Sequence, residues 1–524
     1  MVELKILILY FGAAAITALL YKLIGKELDI EPIQLLVAWL IVPVAILVTK
    51  NIWITFALIV LFKIYFLRND VHKNLMFYLF MFPALPEAYS FPFWEAGNFY
   101  IADLNLQFIM GLFVLLPLLP GIWAMNREAT EDGQSEIKRK LPWLVLVFAL
   151  LLIVGAFRER YEFRVTLFSS IRESFVILLV FALPFYVLLK SVRNFRDIEN
   201  YLGAIALSGI FLGVFAFIEE ALRWKVYNEL GFYLNAFTPG SIATFYDFRG
   251  SLLRVSGSLG HPITFGFYLT IVLASVMYLL RRNSLSIVIT LMFVGMFTIA
   301  ILFTVSRGAM VGLALFWMVL FVYKFHPIAR RLMFVMSLVI GVLFVAVGDN
   351  LLSTRSVESV TQLDKEGTFN YRLELAKTSV VVMQRHLLFG SRNYKGEPEM
   401  QKLVQGQGIV DMVNGYIHIA MEYGLVGLLV FLGLILGAIR TGFRWIAQGE
   451  FRGDSRYTYL GATFIAMILS LSVQFAFTSF DGSIVSYLFL GFAVVFASRV
   501  VLSQLEADDE GLSSKIETVT ESRY

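Results

Sequence analysis

The sequence predicts an all-α integral membrane protein of about 14 transmembrane helices with a long extracytoplasmic loop, on three observations. First, hydrophobic residues make up 58% of the 524 residues, charged residues only 16%, and the mean hydropathy is +0.75. A water-soluble domain carries about 25% charged residues. An ordinary soluble enzyme, a disordered chain and a fibrous protein are thereby excluded. Second, apolar runs near the roughly 20 residues that a spanning helix needs recur along the whole chain. Third, Lys and Arg collect in short loops that fall on one side of such a topology.

The runs are 4–24, 33–49, 52–67, 106–124, 141–157, 174–190, 201–219, 262–280, 285–305, 309–323, 332–348, 416–439, 459–478 and 484–502. The first is long enough to span and no small-residue cleavage site follows it, so it reads as a helix and not as a cleaved signal. A further apolar run, 74–93, contains Pro83, Pro86, Glu87 and Pro92 and reads as a broken, re-entrant or interfacial segment. The Phe (49) and Tyr (23) content suits rings that face lipid or sit at its interface. The basic loops are 125–140, 190–200, 281–284, 324–331 and 440–457, and the side they share is read as cytoplasmic. The direction of the first three helices stays open, because Lys50, Lys63 and Arg68 do not settle it.

The expected divisions are N-terminal transmembrane helices (1–219), an extracytoplasmic loop (220–261), core helices (262–348), a long extracytoplasmic loop (349–412), C-terminal transmembrane helices (413–502) and a disordered cytoplasmic tail (503–524). The long loop is too long for a mere connector, and its charged, amphipathic stretch 371–386 predicts a helix within it. Net charge is +4, from 43 basic and 39 acidic residues, which does not suggest a nucleic-acid binder. Without cysteine, disulfides, zinc–thiolate sites and iron–sulfur clusters are excluded. Phosphate-binding loops, dinucleotide fingerprints, His-Glu-x-x-His and nucleophile elbows do not occur.

Five features of the non-cytoplasmic side carry potential chemistry. The loop Arg254-Val-Ser-Gly-Ser-Leu-Gly-His-Pro262 precedes a helix, and Pro at a helix start loses nothing; in isolation His261 reads as structural. Ser306-Arg307-Gly308 splits the apolar stretch 285–323, which as one helix would be about 58 Å long. A turn is needed there but an Arg is not, and a boundary Arg points to function, since guanidinium matches phosphate oxygens two by two. Tyr371-Arg372 opens the amphipathic stretch, whose charged face reads in isolation as solvated. Asn414, His418 and Glu422 share one helix face and suggest a lined cavity or a helix contact. Arg158, Arg160, Arg164 and Arg172 run against the charge trend; they attract an anion or, as favoured here, pair with Glu159, Glu162 and Glu173.

Taken in order, these features resemble the O-antigen ligase/polymerase superfamily of bacterial envelope glycosyltransferases. The order is Arg-x-x-Gly before a helix, Ser-Arg-Gly at 306–308, an Arg-led helix in a long outer loop, a Leu-Phe-Gly turn at 388–390, and Glu-x-Gly-x-x-Gly at 422–427. The match covers roughly 250–440. The resemblance implies a GT-C-like architecture in the bacterial inner membrane with the active site facing the periplasm. It implies a donor glycan on undecaprenyl diphosphate, a glycan or lipid acceptor, other envelope-assembly partners, and a metal-independent transfer with no cofactor. Arg307 and Arg372 match the arginines aimed at the diphosphate, and Arg254 a further recurring position; His261 and Asn414 would line the site. Fixed arginines suit the chemistry, because charge develops on the diphosphate as it leaves.

The chain departs from the family where a His-Asn pair is expected, nine residues before the Glu of Glu-x-Gly. Here the pair is Val413-Asn414, so valine holds the place of the acceptor's base. His418 lies about 140° round the helix from it. Leu387 stands where Pro is frequent, and Ser391-Arg392 follow Gly390 where another glycine is common. Three explanations are open. His418 or Glu422 supplies the base from another angle, a polymerase relies on leaving-group stabilisation, or the protein only binds lipid-linked glycan as a silent scaffold. A glycolipid transporter or flippase is a further rival, with sites expected at mid-membrane.

Overall fold

In the computed structural model the chain is almost entirely helical. It describes residues 2–26, 28–68, 70–86, 90–96, 99–131, 142–163, 166–234, 248–249, 252–323, 368–404, 410–480 and 482–521. The first part contains α1 (Val2–Ile24), α2 (Pro32–Thr49), α3 (Ile52–Phe62), α4 (Val71–Ala84), α5 (Leu106–Met110), α6 (Leu119–Glu131), α7 (Trp143–Phe163), α8 (Leu167–Ile177), α9 (Leu183–Ser191) and α10 (Phe195–Leu222). Then follow α11 (Val226–Leu234), α12 (Pro262–Arg282), α13 (Ile287–Phe303), α14 (Arg307–Val322), α15 (Thr368–Arg385), α16 (Pro398–Gln401), α17 (Gly415–Arg452), α18 (Ser455–Phe475) and α19 (Gly482–Glu521).

Among the described residues nine helical stretches are long and apolar enough to cross a membrane, and shorter apolar helices lie at 52–67, 143–158, 287–303 and 307–322. Together they coincide with every expected segment except 332–348, which lies outside the described residues. Leu19, Val48, Trp123 and Val288 turn large apolar side chains outward, as a lipid-facing surface requires. α10, α12, α18 and the first part of α19 are buried on nearly all sides and form the centre of the bundle.

The two ends of the bundle are marked by contacts. At the basic-loop end Arg282 pairs with Glu199 at 2.7 Å, and Phe195 packs on Trp445 and Tyr457. At the opposite end Val255 donates to the Phe303 carbonyl at 3.1 Å, where α13 finishes. α1 joins the two. Lys5 Nζ sits 4.8 Å over the Trp224 ring, just past α10, and the Ile24 carbonyl accepts from Asn283 at the far end. The open direction of the first helix is therefore fixed relative to the core, with the N-terminus at the end opposite the basic loops.

The run read as broken, 74–93, resolves into two parts. α4 holds an unbroken helix to Ala84 despite Pro83, and almost all its side chains are buried. His72 reaches the Tyr201 hydroxyl at 3.0 Å near one end, and the Pro83 carbonyl accepts from Ser258 near the other. The helix stops before Pro86, because the residue ahead of a proline is pushed out of the helical region. The chain then forms an antiparallel hairpin, β1 (Ser90–Ala96) with β2 (Phe99–Asn105), and a second small hairpin pairs β3 (Phe248–Arg249) with β4 (Leu252–Leu253). Neither hairpin is legible as alternating apolar pattern.

The tail read as disordered from 503 continues α19 as helix to Glu521. Its first carboxylates explain the continuation: Glu506 pairs with Arg444, and Asp509 with Arg452 and Gln448 of α17. Charges that look solvated in sequence are the stripe that binds the last helix to its neighbour.

Candidate functional site

At the end opposite the basic loops, α12, α14 and α17 begin and α18 finishes. The Arg254 loop is held from beneath. The Glu219 carboxylate at the end of α10 accepts the Ser256 and Gly257 N–H groups at 3.3 and 3.1 Å. Arg254 is buried, and its Nε donates to the Thr304 carbonyl at 3.3 Å. His261 caps α12: its Nδ1 accepts the Ile263 N–H at 3.2 Å, with Pro262 next in the first turn. A cap of this kind satisfies a backbone donor that the helix leaves unpaired.

The apolar stretch breaks at Thr304–Ser306. Val305 adopts φ 47°, a left-handed conformation that a β-branched side chain rarely takes. Ser306 stands at the N-cap and Arg307 is the first residue of α14, with an exposed side chain. Gly308 packs against Phe477, where a Cβ would stand 2.8 Å from the Phe477 Cβ. The Arg372 guanidinium, near the start of α15, lies over the same Phe477 ring at 5.6 Å. Arg254 is thus bound to the Thr304 carbonyl just before α14, Arg307 opens that helix, and Arg372 shares the neighbour Phe477 with Gly308.

α15 rests on a small core of its own. Leu375, Val382, Tyr394, Met400, Leu403, Val410, Met412 and Met421 are buried there, with Val413 packed against them. Tyr371 donates its hydroxyl to the Asp411 carbonyl at 2.8 Å. Val413 is therefore part of this core. Asn414 caps α17, its carbonyl oxygen accepting the Tyr416 and Ile417 N–H groups at 3.0 and 3.2 Å.

α17 is interrupted at Gly424, with φ 69° and ψ −167°. The break frees the Leu425 and Val426 N–H groups, which donate to the Leu387 and Leu388 carbonyls at 2.8 and 3.2 Å. In return Ser391 donates to the Met421 carbonyl at 2.8 Å. Gly390, at φ 65°, completes the crossing, since a Cβ there would stand 2.6 Å from backbone atoms of Glu422 and Gly424. Only glycine tolerates both the positive φ and the approach. Leu-Phe-Gly and Glu-x-Gly, two separate motifs in sequence, are the halves of one backbone junction.

Side chains lock that junction. Arg158 donates to the Phe389 and Gly390 carbonyls, each at 2.6 Å. Arg392 pairs with Glu422 and, at 2.8 Å, with Glu173, and reaches the Tyr423 hydroxyl at 3.2 Å. His418 Nδ1 accepts the Phe480 N–H at 3.1 Å, and its Nε2 lies 3.4 Å from Glu422. The Tyr394 and Phe480 rings meet the imidazole edge to face. His418 and Glu422 are thus together, as their shared face implied, but in a buried network. Phe480 borders His418, while Phe477, three residues earlier, borders Arg372 and Gly308.

Of the outer charge cluster, Glu173 pairs with Arg392 and Arg158 holds carbonyls; the side chains of Arg160 and Arg164 lie outside the described ones. Arg392 entered the sequence reading only as a departure after Gly390. Its role depends on Glu173, 219 positions away, and no local signal announces that.

Residues 291–432 match the family model for O-antigen ligase. That span runs from α13 into α17 and includes Arg307, Arg372, Arg392, His418 and Glu422; Arg254 and His261 precede it. No curated protein matches the chain. The resemblance read from the motif order is thereby met by a match over its central part: the chain is a multi-pass membrane protein in which residues 291–432 are similar to the O-antigen ligase family.

Proposed function

We propose that this protein is a metal-independent membrane glycosyltransferase that ligates or polymerises glycan from an undecaprenyl-diphosphate-linked donor. The reaction takes place at the periplasmic face of the bacterial inner membrane, in cell-surface polysaccharide assembly. The observation that carries this reading is that Arg307 opens α14 just after the turn whose Thr304 carbonyl Arg254 binds, with Arg372 over the Phe477 that packs on Gly308, Arg307 and Arg372 lying within the residues that match the family model. The acceptor hydroxyl attacks the anomeric carbon from the face opposite the diphosphate. As the old bond breaks, its electron pair goes to the diphosphate oxygen, where Arg307 and Arg372 stabilise it and Arg254 assists. Charge-assisted bonds from fixed guanidinium groups are strong, and a water-poor membrane boundary strengthens them further.

The test uses purified protein with lipid-linked donor, alone and with acceptors. Arg307→Ala and Arg372→Ala should each lower turnover about 100-fold or more, the scale of losing one fixed donor to a developing charge. Normal turnover in Arg307→Ala at normal protein level overturns the assignment. Polymer from donor alone identifies a polymerase; transfer that requires an added acceptor identifies a ligase.

A further inference from the structure

We propose that Arg440, Arg444 and Arg499 bind the phosphate of an anionic glycerophospholipid, in the leaflet at the basic-loop end of the bundle. This site lies at the end away from Arg307 and does not depend on the glycosyl-transfer reading. α17 and α19 run side by side there, and their charges face one another in layers. In the outermost layer Asp509 accepts from Arg452 at 2.6 Å and from Gln448 at 2.5 Å. In the next, Glu506 pairs with Arg444, whose Nε donates at 3.1 Å. One layer further in, the pairing stops. Arg499 donates to the Thr441 hydroxyl and to the Gly437 carbonyl, each at 2.6 Å, and its guanidinium lies 4.4 Å over the Phe496 ring. Its charged neighbours are Arg444 and Arg440, both cations. Among the described residues neither Arg440 nor Arg499 has a carboxylate partner, so three guanidinium groups share the single carboxylate of Glu506.

The cluster stands at the height of a headgroup and opens towards lipid. At 1.5 Å per residue, Arg499 is roughly 25 Å from the start of α19 at Gly482, and Arg440 roughly 24 Å from the break at Gly424. Both distances approach the roughly 30 Å of a bilayer's hydrocarbon layer. On α17, Leu429, Leu436 and Phe443 recur every seven residues and are exposed, and Arg440 is exposed on the same face, between Leu436 and Phe443. Crowded cations repel one another, and an anion relieves that repulsion. Guanidinium groups grip phosphate oxygens two at a time, and basic pockets between transmembrane helices take anionic headgroups. Leu436 and Phe443 offer acyl chains an apolar contact that a free phosphate ion cannot use.

The test titrates the full chain, purified in a neutral detergent, with dioleoylphosphatidylglycerol, dioleoylphosphatidylcholine or inorganic phosphate. Bound lipid is counted by native mass spectrometry, and the thermal midpoint is followed alongside, since a ligand of the folded state raises it. Phosphatidylglycerol should bind and raise the midpoint, and phosphatidylcholine should do so far less. Arg440→Gln removes an exposed guanidinium that pairs with no carboxylate, so without lipid its midpoint should match wild type. Its affinity for phosphatidylglycerol should fall about tenfold or more, the scale of a lost charged hydrogen bond. Arg499→Gln should weaken binding as well, but it also gives up its bonds to α17, so Arg440→Gln decides. Arg456→Gln removes another exposed charge at the same end, one already paired with Asp454 at 2.8 Å, and should bind lipid like wild type. Wild-type affinity in Arg440→Gln, or an equal loss in Arg456→Gln, overturns the proposal. Equal binding of the two lipids overturns it too. Inorganic phosphate that raises the midpoint as much as phosphatidylglycerol at equal concentration assigns the cluster to a soluble anion and overturns the lipid site.

Discussion

Arg307 and Arg392 lie at the same end of the bundle and are housed in opposite ways. Arg392 is mostly buried between the carboxylates of Glu422 and Glu173, with the Tyr423 hydroxyl beside it. Its charge is balanced inside the fold, and it ties α8 to the break in α17. Arg307 is exposed, and it stands in the first turn of α14, where the helix dipole disfavours a cation. The residue two before it is a valine in a left-handed conformation. Local strain of about 1–3 kcal/mol is kept only where the surrounding structure imposes it, and such sites gather at functional positions. A buried charge held between fixed carboxylates belongs to the architecture. An exposed cation in the first turn of a helix, just after a strained residue, is open to an anion from outside the fold.

Stability measurements can break this contrast. Arg392→Leu leaves Glu422 and Glu173 without their cation, and losing one partner of a buried pair costs about 3–5 kcal/mol. A marked fall in the thermal midpoint of the purified protein is expected. Arg307→Leu should change the midpoint far less, since its side chain is exposed and the helix dipole disfavours a cation there by about 0.3–1 kcal/mol. If Arg392→Leu unfolds like wild type, the division between a structural and a ligand-facing arginine does not hold.

A second measurement addresses the junction that Arg392 locks. Gly424→Ala places a Cβ against the Leu388 carbonyl at a positive φ. The strain alone is about 1–3 kcal/mol, and the backbone of 387–391 has to move away. Earlier proteolytic cleavage near residues 387–391 and a lowered midpoint are expected, smaller than the Arg392 effect. An unchanged protease pattern would mean that the two motifs meet only incidentally.

The sequence made some of this site legible and hid the rest for definite reasons. The turn before Arg307 follows from length, because no bilayer accommodates 285–323 as one helix. The helix at 371–386 follows from its amphipathic pattern and is met by α15. Leu-Phe-Gly and Glu-x-Gly were visible as motifs, but not as one junction, since the hydrogen bonds between them join residues 30 or more positions apart. The run 74–93 reads as broken and does stop as a helix at Ala84; that α4 carries Pro83 inside it is not legible, because burial on nearly all its faces is a property of the assembled bundle.

The smallest expected effects separate capping from chemistry at His261 and Asn414, which the resemblance makes site-lining residues. Each side chain accepts backbone N–H groups at a helix start. Loss of such a cap costs about 1 kcal/mol, and Asn, Asp and Ser cap about equally well. Asn414→Ala should therefore lower the midpoint slightly and Asn414→Asp restore it. His261→Asn keeps an acceptor at the cap but removes the imidazole, so it should match wild type in both midpoint and turnover. Turnover lost in His261→Asn at an unchanged midpoint would give the ring a part in the reaction. The boundary between scaffold and site would then move from α14 back to the start of α12, enlarging the arginine group by an imidazole.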